Sequence, residues 1–307
     1  MFYLDQPPRV IETRVFSSMP GSFRQNGVGS AWANANKAGQ SVDSFLEGPA
    51  FDAQGRLYVV DIPFGRIFRI DREGEWALVA QYDGEPNGLK FHPDGRILIA
   101  DYRNGIMQLD AQNGTVEPLL VSRNGESFKG CNDLAIAANG DIYFTDQGQT
   151  GLQDPTGRVY RLRADGRLDC LISNGVSPNG LVLDPSGRTL FVAMTRDNAV
   201  WRVPLLDSGG TAKVGRFCSL FGTSGPDGLA MDEAGNLYVA HASLGQVFVF
   251  APNGVCIARV KSCAGETVTN LAFGGPQRRQ IFITESKSGC VLVADVEHPG
   301  IALPRLP

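Results

Sequence analysis

Six residues carry the chemistry that this chain offers most consistently: Glu47, Asn87, Asn132, Asn179, Asp227 and Asn270. Successive members lie 40, 45, 47, 48 and 43 residues apart. Every one of these side chains ends in an oxygen acceptor, two are carboxylates, and none is Lys, Arg, His or Cys. Brought to one point, such a set suits a hard cation. Ca²⁺ comes first, because it takes several oxygen ligands in a roomy shell; Mg²⁺, Mn²⁺ and Zn²⁺ stay open. Two carboxylates neutralise one dication, and amide oxygens complete the shell without adding repulsion. Asn and Asp before Gly are also common turn formers. Turn chemistry alone does not explain the pattern, since Glu47 is a poor turn residue and Asp133 replaces Gly after Asn132.

What positions these residues is a repeat, clearest in Pro86–Asp101: a polar residue, a small one, an apolar run, a turn ending in Gly, a second apolar run, an acid. The turn Gly follows the leading residue by eight positions in Glu47/Gly55, Asn87/Gly95, Asn132/Gly140, Asn179/Gly187 and Asp227/Gly235. The sixth copy starts at Asn270 and has a longer turn, Gly274 to Arg278. In the second copy, Gly88–Phe91 and Arg96–Ala100 predict two strands, the alternating Gly105–Asp110 a third, and Thr115–Leu120, after the Asn113-Gly114 turn, a fourth. Four strands per repeat at this period predict an all-β fold, a six-bladed β-propeller of antiparallel blades over residues 47–296 within a single domain, 1–307. The last copy has three strands, Thr269–Phe273, Gln280–Glu285 and Cys290–Val296. The β-branched stretch Val10–Phe16 is expected to supply its fourth and close the ring, which removes open edges.

In such a ring the first strand of each blade lines the central channel, so the six leading residues converge at one mouth. The second strand returns to that mouth and ends at Asp61, Asp101, Asp146, Met194, His241 and Glu285, an outer ring rich in acids. Each of these is read first as a strand end or a cap on the next loop; Asp146 and His241 are nevertheless candidates to touch substrate, with Asn87 and Asn270. His241 is the one histidine in either ring, which argues against a histidine-built zinc site. No nucleophile elbow, P-loop, HExxH or GxGxxG motif is present.

The net charge of −4 comes from 28 basic and 32 acidic residues mixed along the chain, which gives no nucleic-acid footprint. No apolar run reaches membrane-spanning length. Met1–Glu12 lacks the basic start and apolar stretch of a signal peptide, so a cytoplasmic setting is expected. Oligomeric state is left open. The six cysteines fall in different repeats without a CxxC and read as free, buried thiols, Cys131 among them. Residues 21–45, rich in Gly, Asn, Ala and Ser, read as a long loop. It connects the closing strand to Glu47 and is expected to pass over the channel mouth as a lid, with Trp32 and Phe23 giving an apolar underside and Arg24 reaching a substrate carboxylate or hydroxyl.

Glu47-Gly48-Pro49, Asn132-Asp133, Ser177-Pro178-Asn179-Gly180 and Pro226-Asp227-Gly228, in this order and spacing, resemble the gluconolactonase / senescence-marker-protein / luciferin-regenerating-enzyme family of six-bladed propellers. The resemblance covers roughly Phe45 to Glu285. It implies a divalent metal held by Glu47, Asn179 and Asp227, with Asn132 completing the site or binding substrate. It implies Asp227 as acid/base or nucleophile and hydrolysis of a small-molecule lactone or related ester. A phosphoester or phosphotriester hydrolase at the same metal is the alternative, and a non-catalytic binding propeller with a structural metal is a third. The segment 21–45, Asn87 and Asn270 depart from the family pattern and leave the substrate open.

Overall fold

The computed structural model describes residues 6–302; the first five residues of the Met1–Glu12 stretch and the last five of the chain lie outside it. Six four-stranded antiparallel units follow one another in chain order, with inner strands Leu46–Phe51, Pro86–Phe91, Cys131–Ile136, Pro178–Leu183, Pro226–Met231 and Val268–Gly274. The sequence alternation sets the strands, and tight turns such as Asp52 to Arg56 and His92 to Arg96 join the two inner strands. A separate two-stranded ribbon, Ser122–Arg123 with Glu126–Ser127, decorates the link after the second blade. Between each consecutive pair of blades lies one apolar cluster. Blade one meets blade six through Leu46, Leu57, Val59, Phe68, Phe282 and Val293, so the ring is closed by packing as well as by pairing. The fold is a six-bladed β-propeller.

Closure differs in detail from the expected single strand. The N-terminal stretch splits at Thr13. Arg9–Glu12 pairs parallel with Cys256–Lys261, the outer strand of blade five, and Arg14–Ser18 pairs antiparallel with Cys290–Asp295 to complete blade six. Thr13 is the crossing point. Its amide and its hydroxyl both donate to Lys261 O, and the hydroxyl accepts from Cys263 N at 2.9 Å. One short segment therefore fastens two blades and covers the outer edge of the fifth.

The segment 21–45 is not uniformly irregular. Ala31–Asn36 is a short helix whose N-cap, Ser30, accepts from Ala33 N at 3.1 Å. Trp32 and Ala33 are buried against blades one and two, with the Trp32 ring 4.6 Å from Phe45. None of the six cysteines is paired. Cys131 sits in the core between blades two and three, and Cys263 is exposed. No helix among the described residues is long and apolar enough to cross a membrane.

Candidate active site

The strand registers fix what faces the channel. In all six blades a residue on the inner strand pairs with the last residue of the second strand: Leu46 with Asp61, Pro86 with Asp101, Cys131 with Asp146, Pro178 with Met194, Pro226 with His241, Val268 with Glu285. Counting one residue on gives Glu47, Asn87, Asn132, Asn179 and Asp227 in five blades. In the sixth it gives Thr269, not Asn270. The sixth copy is thus shifted by one residue, and Asn270 occupies the position held by Gly48, Gly88, Gly180 and Gly228 elsewhere. Thr269 turns away from the cavity, its hydroxyl bonded to Leu46 O and Ser286.

That second position matters. Asp133 in blade three and Asn270 in blade six, opposite each other, fill the channel just below the leading ring. The neighbouring glycines make room: a Cβ on Gly88 would stand 2.5 Å from Asp133 Oδ1, and one on Gly228 would overlap the Asn270 amide. Asn270 Nδ2 donates to Glu47 Oε2 at 2.9 Å and reaches Asp133 Oδ2 at 3.4 Å. Asn270 therefore braces Glu47 from beneath and does not line the cavity, contrary to its reading as a substrate contact. Asp133, which sequence reasoning did not place in the site, is a third buried carboxylate there. Its signal was the missing glycine after Asn132.

Above this floor is a cavity of about 490 Å³, within the usual range for small-molecule sites. Glu47, Asn87, Asn132, Asn179 and Asp227 form its base, and Trp32 lies in its wall. Amides dominate the rest: Asn36, Gln147, Gln149 and Gln153, beside Tyr102 and Ser177. Asn132 Nδ2 donates to Gln147 Oε1 at 2.9 Å, and Gln147 in turn donates to Ser177 Oγ. This chain fixes the Asn132 amide and leaves its Oδ1 buried without a partner. Glu47 Oε2 accepts from Gly48 N and Asn270, yet its carboxyl is held well above the usual range by burial and by the charges of Asp227 and Asp133. Burial and Asp133 push Asp227 up to about 7.

Crowded buried carboxylates beside an orphaned amide oxygen are what an oxygen-liganded cation relieves. Among the described residues no three His, Cys, Asp or Glu side chains form a metal shell by themselves, and the other oxygens on this floor that could serve a cation are the amides of Asn132 and Asn179. The donor set fits a hard divalent ion and offers nothing to a soft one.

The outer ring does different work. Asp61 accepts from Phe45 N, Asp101 from Glu85 N, Asp146 from Gly130 N and Glu285 from Thr267 N. Each acid caps the amide just before its own blade's inner strand. His241 bonds Phe221 O at 2.7 Å, and burial lowers its pKa. Asp146, through Oδ1, and His241 are thus tied to backbone and stand outside the cavity lining, where substrate contacts are expected, while Asp146 Oδ2 is buried without a partner. Arg24 is likewise elsewhere: its guanidinium pairs with Asp43 at 2.8 Å and bonds Ser288 O on blade six. From the same segment the structure brings Lys37 instead. Lys37 lies half-buried in the cavity wall, with Nζ 4.4 Å from the Phe45 ring centroid, and burial lowers its pKa.

Residues 45–287 match the family described as SMP-30/Gluconolactonase/LRE-like region, and the chain belongs to that family. A gluconolactonase of Zymomonas mobilis is 34% identical over 221 residues, 65% of this chain; the match spans 60% of that protein's length. The diisopropyl-fluorophosphatase of Loligo vulgaris is 29% identical over 80% of this chain and 87% of its own. A calcium-binding protein, regucalcin, from Agrobacterium tumefaciens superposes with a TM-score of 0.76 at 21% identity, covering 97% of this chain and 99% of its own.

Proposed function

We propose that the protein is a hydrolase that opens a sugar-like lactone at a divalent cation held by Glu47, Asn132, Asn179 and Asp227, with Ca²⁺ the first choice of ion. The observation that carries this reading is the cavity floor: two buried carboxylates that repel each other, beside an Asn132 oxygen with no partner. When bound, the cation supplies Lewis-acid polarisation of a carbonyl oxygen. Asp227, a carboxylate placed both at the cation site and in the cavity, would take the proton of the attacking water. The Gln147 and Ser177 chain keeps the Asn132 oxygen aimed, so no reorganisation is needed as charge develops. Asn87, Asn36, Gln149 and Gln153 offer donors and acceptors that match ring hydroxyls.

The amide-rich wall supports the lactone over the alternative substrate class. A phosphoryl ester with apolar substituents, the kind of group in the name of the Loligo vulgaris enzyme, fits an apolar wall better than this one, whose large apolar members are Trp32, Phe45, Ile62 and Leu152. The helix Ala31–Asn36, carrying Trp32 and Asn36, acts as the wall that selects substrate, and the molecule works in the cytoplasm. The test is hydrolysis of γ- and δ-lactones and of a phosphotriester, with and without chelator. The expected result is lactone opening that stops on chelation and returns with Ca²⁺. Lactone opening that survives full cation removal overturns the mechanism.

A further inference from the structure

Two cations lie in the cavity wall with no role in the chemistry above. Lys37 follows the helix Ala31–Asn36, and Arg196 stands in the turn Thr195–Asp197 after the second strand of blade four. They come from opposite ends of the sequence's first two-thirds, yet both line the one cavity, and the charges of both act on Asp227 at its floor.

Neither is matched by an ion-pair partner among the described residues. The acid beside Arg196, Asp197, is engaged by Arg216 at 2.5 Å and by Trp201 Nε1. Asp43, at the far end of the Lys37 segment, is taken by Arg24. Lys37 is also pinned: its ammonium faces the Phe45 ring at 4.4 Å and Trp32 at 5.6 Å, where aromatic faces hold a cation in place without neutralising it.

The floor does not need them once it is loaded. Glu47, Asp133 and Asp227 bring three negative charges. Lys90 Nζ, 3.8 Å from Asp133 Oδ1, offsets one, and a divalent cation offsets the other two. Lys37 and Arg196 then remain as the positive charges on a cavity wall whose other side chains are neutral. The acid whose charge meets both is Asp227; once a cation takes it up, the two like charges face one cavity, and an anion there meets both. An ammonium and a planar guanidinium are also the two groups best suited to carboxylate and phosphate oxygens.

We infer that Lys37 and Arg196 form an anion subsite, and that the lactone opened here carries an anionic substituent, a carboxylate or a phosphoryl group, remote from the ring carbonyl. This inference rests on the lactone reading of the same cavity. It assigns substrate discrimination to a segment, residues 21–45, that the blade repeat does not contain. Lys37 arrives with the helix that walls the cavity, so helix docking and anion binding favour each other.

The experiment compares three probes on the Ca²⁺-loaded full chain: D-glucono-1,5-lactone, which is neutral, D-glucaro-1,4-lactone, which bears a carboxylate, and 6-phosphoglucono-1,5-lactone. The readout is the ratio of kcat/KM for each anionic lactone to that for the neutral one. The expected ratio exceeds about tenfold for at least one anionic probe, and which one identifies the group. In Lys37→Gln and, separately, in Arg196→Gln it falls at least about tenfold, mainly through KM, and in wild type it shrinks with added salt. A wild-type ratio near one, or a ratio that neither substitution changes, overturns the subsite. If Lys37 and Arg196 instead serve only as counter-charges to the floor, all three probes change together and Ca²⁺ affinity rises in the variants. That outcome also overturns it. Should no lactone be opened at all, the lactone reading fails on its own. Equilibrium binding of 6-phosphogluconate against gluconate, wild type against the two variants, then decides the subsite: a selective loss of the phosphate-bearing acid supports it, and equal binding of both acids by all three proteins refutes it.

Discussion

The two rings at the channel mouth are built from the same side chains and behave in opposite ways. The outer ring, Asp61, Asp101, Asp146 and Glu285, faces amide donors: each carboxylate takes a backbone N–H at the entry to its blade, and Asp61 adds the guanidinium of Arg66. In the inner ring Glu47 also takes donors, Gly48 N and Asn270 Nδ2, but its carboxyl is crowded by other acids. Glu47 and Asp227 are buried beside each other and beside Asp133, and Asn132 Oδ1 finds no donor. Residue type therefore does not separate structure from function here. The neighbourhood does: the outer acids stand apart, each on the amide that enters its blade, while the inner carboxylates crowd one another at the cavity floor beside an amide oxygen without a partner.

The largest effect that tests this contrast is on turnover. Asp227→Asn keeps the shape of the floor and removes the proton acceptor. Lactone kcat/KM is expected to fall about a thousandfold with the melting temperature kept or raised, measured by steady-state assay and thermal scan on one preparation. An outer-ring substitution should do the reverse. Asp61→Ala strands the buried Arg66, whose side chain is 3% exposed, and is expected to destabilise by about 3–5 kcal/mol in urea unfolding while Ca²⁺ binding per folded molecule is unchanged. A lost cation site in folded Asp61→Ala protein would blur the two rings into one.

Much of this was legible in the sequence, because a repeat of fixed phase converts spacing into position. Glu47, Asn87, Asn132, Asn179 and Asp227 stand at equivalent places in their blades and share one cavity. The phase failed where the repeat itself varies. In the sixth blade the longer turn masks a one-residue slip, and Thr269, not Asn270, holds the leading place. Asp133 was visible only as a break in the Asn-Gly pattern, and its direction depends on the space that Gly88 leaves across the channel. The helix Ala31–Asn36 is too short for a periodic signal. Which cation of that segment reaches the cavity depended on Asp43 capturing Arg24, a contact 19 residues apart that no local pattern reveals.

The pH dependence sharpens the same comparison by a moderate amount. Asp227 is raised to about 7 from 3.8, and Glu47 is raised as well, in both cases chiefly by burial. A carboxyl raised on folding contributes stability that is complete below its unfolded pKa and is lost as pH rises through the folded value. The chelator-treated protein should therefore melt at lower temperature as pH goes from about 5 to about 8, and Ca²⁺ should restore more at the upper end. A flat profile without cation would mean that the floor carboxylates do not crowd each other.

The smallest expected effect concerns the wall. Replacing residues 26–42 by a short Gly/Ser link removes Trp32, Asn36 and Lys37 from the cavity but none of the floor. Unchanged Ca²⁺ affinity is expected, with KM raised about tenfold or more for an anionic lactone and by less for neutral ones. Equal kinetics across the series in a folded variant would leave the helix without a part in selection.

The central claim is that the inner ring is incomplete without a cation and that lactone opening depends on completing it. A single titration of chelator-treated protein with Ca²⁺ tests it, following lactone hydrolysis and melting temperature against free Ca²⁺. Both should rise together with one midpoint, saturate at one ion per chain, and shift to higher Ca²⁺ in Asn132→Ala, which deletes the orphaned oxygen. Hydrolysis that is already complete before any Ca²⁺ is added, or a melting temperature indifferent to Ca²⁺ at neutral pH, would contradict the account.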